Sequence, residues 1–233
     1  HKHIHSAAGK ATQSEVYSYS YDYADRLQTT THCLNNGPVM TLVNNEYDEL
    51  GRLKHNRRNG QSNLHTNYAY NLRSWTESIS SPLFCKTLYY NDTRSNPTNT
   101  RYYNGNISGM DWGVNGDKKR GYDFSYDNLS RLLYADYLEN NIRNHNFNTS
   151  YNYDKQGNIV SLMRSGNQNT TYGIIDNLAL NYRGNQLIKV EDTASDSNLS
   201  VSSMDFRNGA KQDVEYFYDE NGNLIKDLNK GIA

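Results

Sequence analysis

Two stretches of this chain carry side chains that could do chemistry. The opening HKHIH would set His1, His3 and His5 on one face of an extended strand, a spacing that could ligate a metal. The stretch YFYDENGNLIKD (216–227) crowds Asp219, Glu220 and Asn221 around a glycine, where their oxygens could hold a cation. Neither pattern completes a site. A calcium loop needs several oxygen ligands at fixed positions. The comparable acids Asp22, Asp48, Asp127, Asp154 and Asp219 each stand largely alone. His1 to His5 reads as a frayed or appended terminus, and His32, His55, His65 and His145 are dispersed. No order of Ser, His and Asp or of Cys and His singles out a nucleophile. The two cysteines, Cys33 and Cys85, lack CxxC spacing and are compatible with one bridge or with unpaired thiols. The chain is therefore expected to hold no cofactor or metal and to be no enzyme. A further candidate is aromatic: Trp75, Trp112, Tyr102 and Tyr103 could stack on sugar rings, or could simply pack along a sheet face.

The acidic stretch changes meaning when its relatives are aligned. YDENGNL (218–224) matches YDKQGNI (153–159), YDNLSRL (126–132), YDELGRL (47–53) and YDYADRL (21–27), with YNLRSWT (70–76) a weaker copy. YNGNI (103–107) and YRGNQL (182–187) look like versions with shorter turns. That makes about eight units at a loose period, the signature of a repeat architecture. Glu220 and Asn221 are replaced by Lys155 and Gln156 in one copy and by Tyr23 and Ala24 in another. What recurs is what a hairpin needs. The anchors Tyr21, Tyr47, Tyr126, Tyr153 and Tyr218 end strands, and a second ring often lies two residues earlier on the same face (Tyr19, Tyr68, Phe124, Tyr151, Tyr216). The Asp after each anchor can accept N–H bonds as an Asx-turn. The fifth position suits positive φ: Gly51, Gly157 and Gly222 fit it, Asp25 tolerates it, and Ser74 and Ser130 fit less well. Leu or Ile then opens the return strand.

Composition agrees with strands. The chain has 233 residues, with 21 Tyr and 16 Gly against 3 Pro, and it is rich in Asn. Tyr favours strands, whereas Asn and Gly favour turns. The best helical candidate, RLLYADYLENNI (131–142), is surrounded by strand and turn residues and reads more readily as strand. Hydrophobic residues make up only 35%, which makes a two-layered core hard to fill. A single layer of hairpins can instead rest on ladder hydrogen bonds and cross-strand aromatic neighbours, about 0.2–1 kcal/mol per pair. Its open edges would favour edge-to-edge self-association. A formal net charge of −1 argues against a dedicated nucleic-acid partner. No apolar run approaches a membrane span, and the first residues lack the apolar core of a signal peptide.

The Y-D-x-x-G-[RN]-[LI] unit resembles the YD repeat of the RHS family. Longer strings are similar to Bacteroidetes RHS-repeat proteins: YNLRSWTESISSP (70–82), YYNGNISGMDW (102–112), FSYDNLSRLLYADY (124–137), YGIIDNLALNYRGNQLIKVED (172–192) and YFYDENGNLIKDLNKGI (216–232). The resemblance implies an all-β fold of consecutive antiparallel hairpins in a long curved or spiralling sheet, a fragment of a β-shell. Residues 16–233 would form the repeat domain and 1–15 would lie outside it. It further implies a structural segment of a large secreted or cell-surface bacterial protein whose shell encloses or presents a C-terminal, toxin-like domain. The partners would then be the rest of that parent chain and its enclosed domain. The alternative is a carbohydrate-binding or adhesion module whose partners are cell-surface glycans. The self-cleaving aspartates of the RHS core and a variable toxin tail are not visible here, so the chain itself is expected to be neither autoprotease nor toxin.

Overall fold

The computed structural model describes residues 1–94, 97–114, 117, 119–194 and 204–232; the repeat stretch 16–233 therefore includes residues outside the described set. It is an all-β chain whose strands pair in an open, antiparallel 16-stranded sheet in sequence order, followed by a two-stranded hairpin. The one helical element among the described residues is a 3-10 turn at Ser62–Leu64. No helix among them is long and apolar enough to cross a membrane. The 131–142 stretch, which carried some helical spacing, is the strand Leu132–Glu139.

Two compact units are distinguished, His1–Tyr89 with Met110–Lys119, and Tyr90–Gly109 with Arg120–Ala233. The first is a meander in which Gln13–Tyr21, Leu27–Leu34, Met40–Tyr47, Leu53–Arg58, His65–Tyr70, Thr76–Ser80 and Phe84–Tyr89 each pair with the next. Within residues 1–15, Lys2–His5 pairs with Gln13–Val16, and the His1 carbonyl accepts the Tyr17 N–H. The ladder gives this segment partners that no repeat pattern announces. Among the described residues of this unit no apolar side chain is fully buried. The unit therefore rests on its ladder and on side chains lying along the sheet, as a single layer would.

The second unit runs Arg120–Tyr126, Leu132–Glu139, Thr149–Tyr153, Ile159–Gln168, Thr171–Arg183 and Gln186–Asp192, then the hairpin Tyr216–Tyr218 with Leu224–Asp227. It has a small core in which Ala135, Tyr137, Leu138, Ile175 and Val190 are buried. Rings extend it: Tyr122 and Tyr137 lie 5.4 Å apart, Tyr137 and Phe147 5.0 Å, and Phe147 and Tyr172 5.3 Å. These are edge-on contacts within the favourable range for aromatic pairs.

Every full-length turn is built alike. Tyr21 opposes Leu27, Tyr47 opposes Leu53, Tyr126 opposes Leu132, Tyr153 opposes Ile159 and Tyr218 opposes Leu224, each with a register shift just before the tyrosine. That bulge increases local twist and re-aims the ring. The fifth position has positive φ throughout: Gly51 at 81°, Gly157 at 96° and Gly222 at 82°, but also Asp25 at 56°, Ser74 at 61° and Ser130 at 63°. The serines, poor candidates by residue type, adopt the left-handed conformation because the turn around them leaves no other. Replacing Ser130 by Gly should therefore stabilise the chain by about 0.5–1 kcal/mol, since relief of the Cβ clash exceeds the extra glycine entropy. Urea unfolding measures it, and an unchanged or lowered midpoint would contradict the strain.

Candidate functional site

The side chains that recur converge on the turns. In the first, Asp22 Oδ1 accepts the N–H of Ala24 at 2.9 Å and of Arg26 at 3.0 Å, while Oδ2 accepts Arg26 Nε at 2.7 Å. Asp48 does the same with Leu50 and Arg52, and Asp127 with Leu129 and Arg131. Where the sixth residue is Asn, its amide replaces the guanidinium: Asn158 Nδ2 donates to Asp154 and Asn223 Nδ2 to Asp219, both at 2.8 Å. Asn71 keeps the two backbone contacts, to Arg73 and Trp75. Each turn carboxylate is thus engaged by donors on both oxygens. That is a capping arrangement, and it leaves no converging set of oxygens for calcium. Among the described residues no group of three or more His, Cys, Asp or Glu is arranged to hold a metal.

These contacts set the charge state. The Arg26 side chain most strongly holds the Asp22 carboxyl below its ordinary range; the Arg131 backbone N–H does so at Asp127 and the Asn223 amide at Asp219. At Asp48 and Asp154 partial burial is the largest influence and pushes upward, but the hydrogen bonds of Arg52 and Asn158 together outweigh it. Burial first, then a neighbouring tyrosine, pushes the Tyr126 hydroxyl up to about 12. Tyr70, Tyr153 and Tyr182 shift in the same direction, burial again leading.

The tyrosines have a second partner, in the preceding unit. The Tyr47 hydroxyl donates to the Leu27 carbonyl at 2.9 Å and Tyr70 to Leu53 at 2.9 Å. Tyr126 donates to Ile107 at 2.8 Å, Tyr153 to Leu132 at 2.7 Å, Tyr182 to Ile159 at 3.0 Å and Tyr218 to Leu187 at 3.0 Å. The acceptor is in each case the Leu or Ile that follows the turn of the earlier unit. The arginines reach forward as well. Arg26 lies 4.7 Å from the Tyr47 ring, Arg52 4.7 Å from Tyr70 and Arg131 4.7 Å from Tyr153. Arg52 Nη1 also donates to the Asn71 carbonyl, and Arg131 Nη1 to the Asp154 carbonyl. One side chain thus closes its own turn and holds the next.

Sequence reasoning assigned the tyrosines to a sheet face and missed this clamp. A signal was present: the anchor is Tyr in every unit and never Phe, whereas the ring two residues earlier is Phe124 in one copy. A position that only packs has no use for a hydroxyl.

The aromatic candidates are not one platform. Trp75 sits where other turns carry Arg, its N–H bonded to Asn71 and its ring 5.1 Å from the Arg73 guanidinium. Tyr102 packs edge-on against Tyr126 at 5.2 Å, and Tyr103, exposed, anchors the short turn whose Gly105 has φ 99°. Trp112 lines a cavity of about 360 Å³ in the first unit with Phe84, Cys85, Asp111 and Lys119. There the buried Asp111 accepts from the Tyr89 hydroxyl at 3.0 Å and pairs with Lys119 at 3.0 Å. Cys33 and Cys85 are free thiols.

A charge relay in the second unit has no repeat counterpart. Asp123 and Asp136 face each other across the ladder and would repel. Arg143 bridges them, at 2.6 Å to Asp123 and 3.2 Å to Asp136, while buried Arg94 takes the other Asp123 oxygen. Glu215, fully buried, accepts from the Val190 N–H and Asn229 Nδ2, tying the last hairpin to its neighbour.

No family model matches the chain, and no curated protein matches it by sequence. Among solved structures it resembles a chain of TcdB2-TccC3-Cdc42, with a TM-score of 0.50 at 10% identity over 91% of this chain. Chains of TcdB2-TccC3-TEV and of TcdB2-TccC3 give a TM-score of 0.49 at the same identity and coverage. The chain spans 12% of the length of each of these. The likeness is one of fold.

The pH dependence of stability follows from the turn groups. The carboxylate contribution is fully present above about pH 4 and is lost as pH falls through the lowered folded values. The tyrosine contribution is fully present below about pH 10 and is lost as pH rises towards 12. Urea midpoints should therefore fall at both ends, and Asp127→Asn should flatten the acid limb while keeping the Oδ1 contacts, as Asn71 does. An acid limb unchanged by that substitution would show that the turn carboxylate is not the titrating group.

Proposed function

We propose that this chain is a non-enzymatic wall segment of a larger RHS-type protein, secreted or displayed at a bacterial surface, in which successive hairpins build part of a shell around a C-terminal, toxin-like domain. The observation that carries this reading is the clamp: Tyr47, Tyr70, Tyr126, Tyr153, Tyr182 and Tyr218 each hold the preceding unit through the hydroxyl, and five of the turns are held by an aspartate, so that polar side chains are spent on continuity. Such a strip gains stability by adding neighbours and does not depend on a thick core. The fold likeness to a chain of TcdB2-TccC3-Cdc42 supports the architecture. Enclosure, export and the identity of any cargo belong to this reading alone. In the longer polypeptide that carries this segment, the C-terminal domain should resist protease until mild denaturant opens the hairpins. Equal cleavage of that domain with and without the segment would remove the enclosing role.

A second reading, glycan binding, rests on the Trp112 cavity, where an aromatic wall stands beside hydrogen-bonding groups on Asp111 and Lys119. It expects saccharide binding on a glycan array that falls at least tenfold with Trp112→Ala and stays with Trp75→Ala. No binding, or binding indifferent to both changes, eliminates it.

A further inference from the structure

A second cavity of the first unit, of about 450 Å³, holds polar residues that the clamp does not use: Glu46, His55, Arg57, Gln61, His65 and Asn67 line it. The strand registers explain why they meet. His55 lies opposite Glu46 on one side and Asn67 on the other, and Arg57 lies opposite His65. Residues two apart on a strand share a face, so five of the six stand on one side of three neighbouring strands. The loop between the last two strands adds the sixth. Asn59 at φ 50° and Gly60 at φ 61° turn the chain, the Gln61 N–H closes on the Arg58 carbonyl at 3.2 Å, and Gln61 comes onto the rim. Met40–Tyr47, Leu53–Arg58 and His65–Tyr70 are each paired on both sides, so the cavity lies inside the meander and not at an end of the strip.

The donors and acceptors left over define what the cavity can hold. His55, His65 and Asn67 are half-buried and form its floor, while Glu46, Arg57 and Gln61 are exposed at its rim. His55 Nδ1 lies 2.6 Å from Asn67 Oδ1. An amide oxygen only accepts, so Nδ1 carries the proton, and Nε2 of the neutral ring is left as an acceptor. The same contact uses the Asn67 oxygen and leaves its Nδ2 to donate. The side chains of Arg57 and Gln61 make no ion pair or hydrogen bond among the described residues. The Glu46 carboxylate is offset by Lys54 at 3.5 Å, which leaves the Arg57 guanidinium as the uncompensated charge. The two imidazoles and Glu46 are not arranged to hold a metal. An arginine fork and two amide donors beside one imidazole acceptor suit an oxyanion.

We propose that this cavity binds a phosphoryl group, as hydrogen phosphate or as a phosphate monoester. Arg57 would take two of its oxygens through the planar fork, and the Asn67 and Gln61 amides would donate to a third. A phosphoryl group has a second ionisation near about 6, so one proton can be shared between its remaining oxygen and His55 Nε2. Sulfate brings no such proton. A planar carboxylate would occupy the Arg57 fork and leave His55 without a donor. The cavity exceeds what a bare ion fills, which leaves room for the esterified part of a monoester. The proposal depends neither on enclosure of another domain nor on the Trp112 cavity.

Isothermal titration calorimetry on the full chain tests this with inorganic phosphate, glucose 6-phosphate, sulfate and acetate, in about 0.15 M salt to screen diffuse charge effects. Phosphate should bind, and sulfate and acetate should bind about tenfold more weakly or worse. Glucose 6-phosphate binding more tightly than phosphate identifies a monoester as the ligand; the reverse order identifies the free ion. Arg57→Gln should weaken phosphate binding about tenfold, and Arg57→Lys less, since it keeps the charge and loses the fork. Glu46→Gln removes a carboxylate from the rim and should tighten binding, which damage to the fold would not do. Arg183→Gln, at an exposed arginine of the second unit, should change nothing. Circular dichroism and thermal midpoints matching wild type establish that each variant is folded. No heat with either phosphate or glucose 6-phosphate, sulfate binding as tightly as phosphate, or binding that Arg57→Gln leaves unchanged or Arg183→Gln lowers equally would each overturn the proposal.

Discussion

The interaction on which the rest depends is the hydrogen bond that six anchor tyrosines, from Tyr47 to Tyr218, donate to a carbonyl just past the turn of the preceding unit. A two-stranded hairpin is marginal in water, and this chain has little apolar surface with which to make it otherwise. The clamp acts beyond the end of the pairing between one hairpin and the next. At the Leu53–Arg58 and His65–Tyr70 junction, ladder pairing ends at His55 and Asn67, and Tyr70 then reaches Leu53. The last hairpin shows the same dependence: it is a separate two-stranded sheet, held to its neighbour by the Tyr218 hydroxyl on Leu187 and by buried Glu215.

Charge is used locally and conservatively. Exposed ion pairs contribute little by themselves, a median of about 0–1 kcal/mol. The turn arginines do more than pair: Arg131 closes its own Asp127, lies over the Tyr153 ring and donates to the Asp154 carbonyl. Replacing Arg by Asn, as at Asn158, trades the ring contact for an amide bond to Asn185 and keeps the units joined. This tolerance explains how the middle of the turn can vary so widely while the frame is kept.

Much of the fold was legible because its determinants are local. Tyr, Asp, a left-handed residue and Leu at fixed offsets specify a hairpin without reference to anything distant, so the all-β reading and the turn positions could be drawn from one chain. Partners set by tertiary context were not legible. Nothing in HKHIH announces pairing with Gln13–Val16, and nothing local tells that Arg143 would bridge Asp123 and Asp136. Ser74 and Ser130 show residue preference overridden by the geometry around it. Of the residues considered for stacking on sugars, Trp112 lines a cavity, whereas Trp75 fills a turn position that the repeat alignment had already identified.

The central claim is that units are coupled through tyrosine hydroxyls and not merely strung together by the backbone. Native-state hydrogen exchange on Tyr153→Phe tests it most directly. If the account holds, loss of that hydroxyl, a bond worth about 1 kcal/mol, raises exchange about fivefold in the preceding strand Leu132–Glu139 as well as in Thr149–Tyr153, the altered strand. Faster exchange confined to Thr149–Tyr153, with Leu132–Glu139 protected as before, would contradict it.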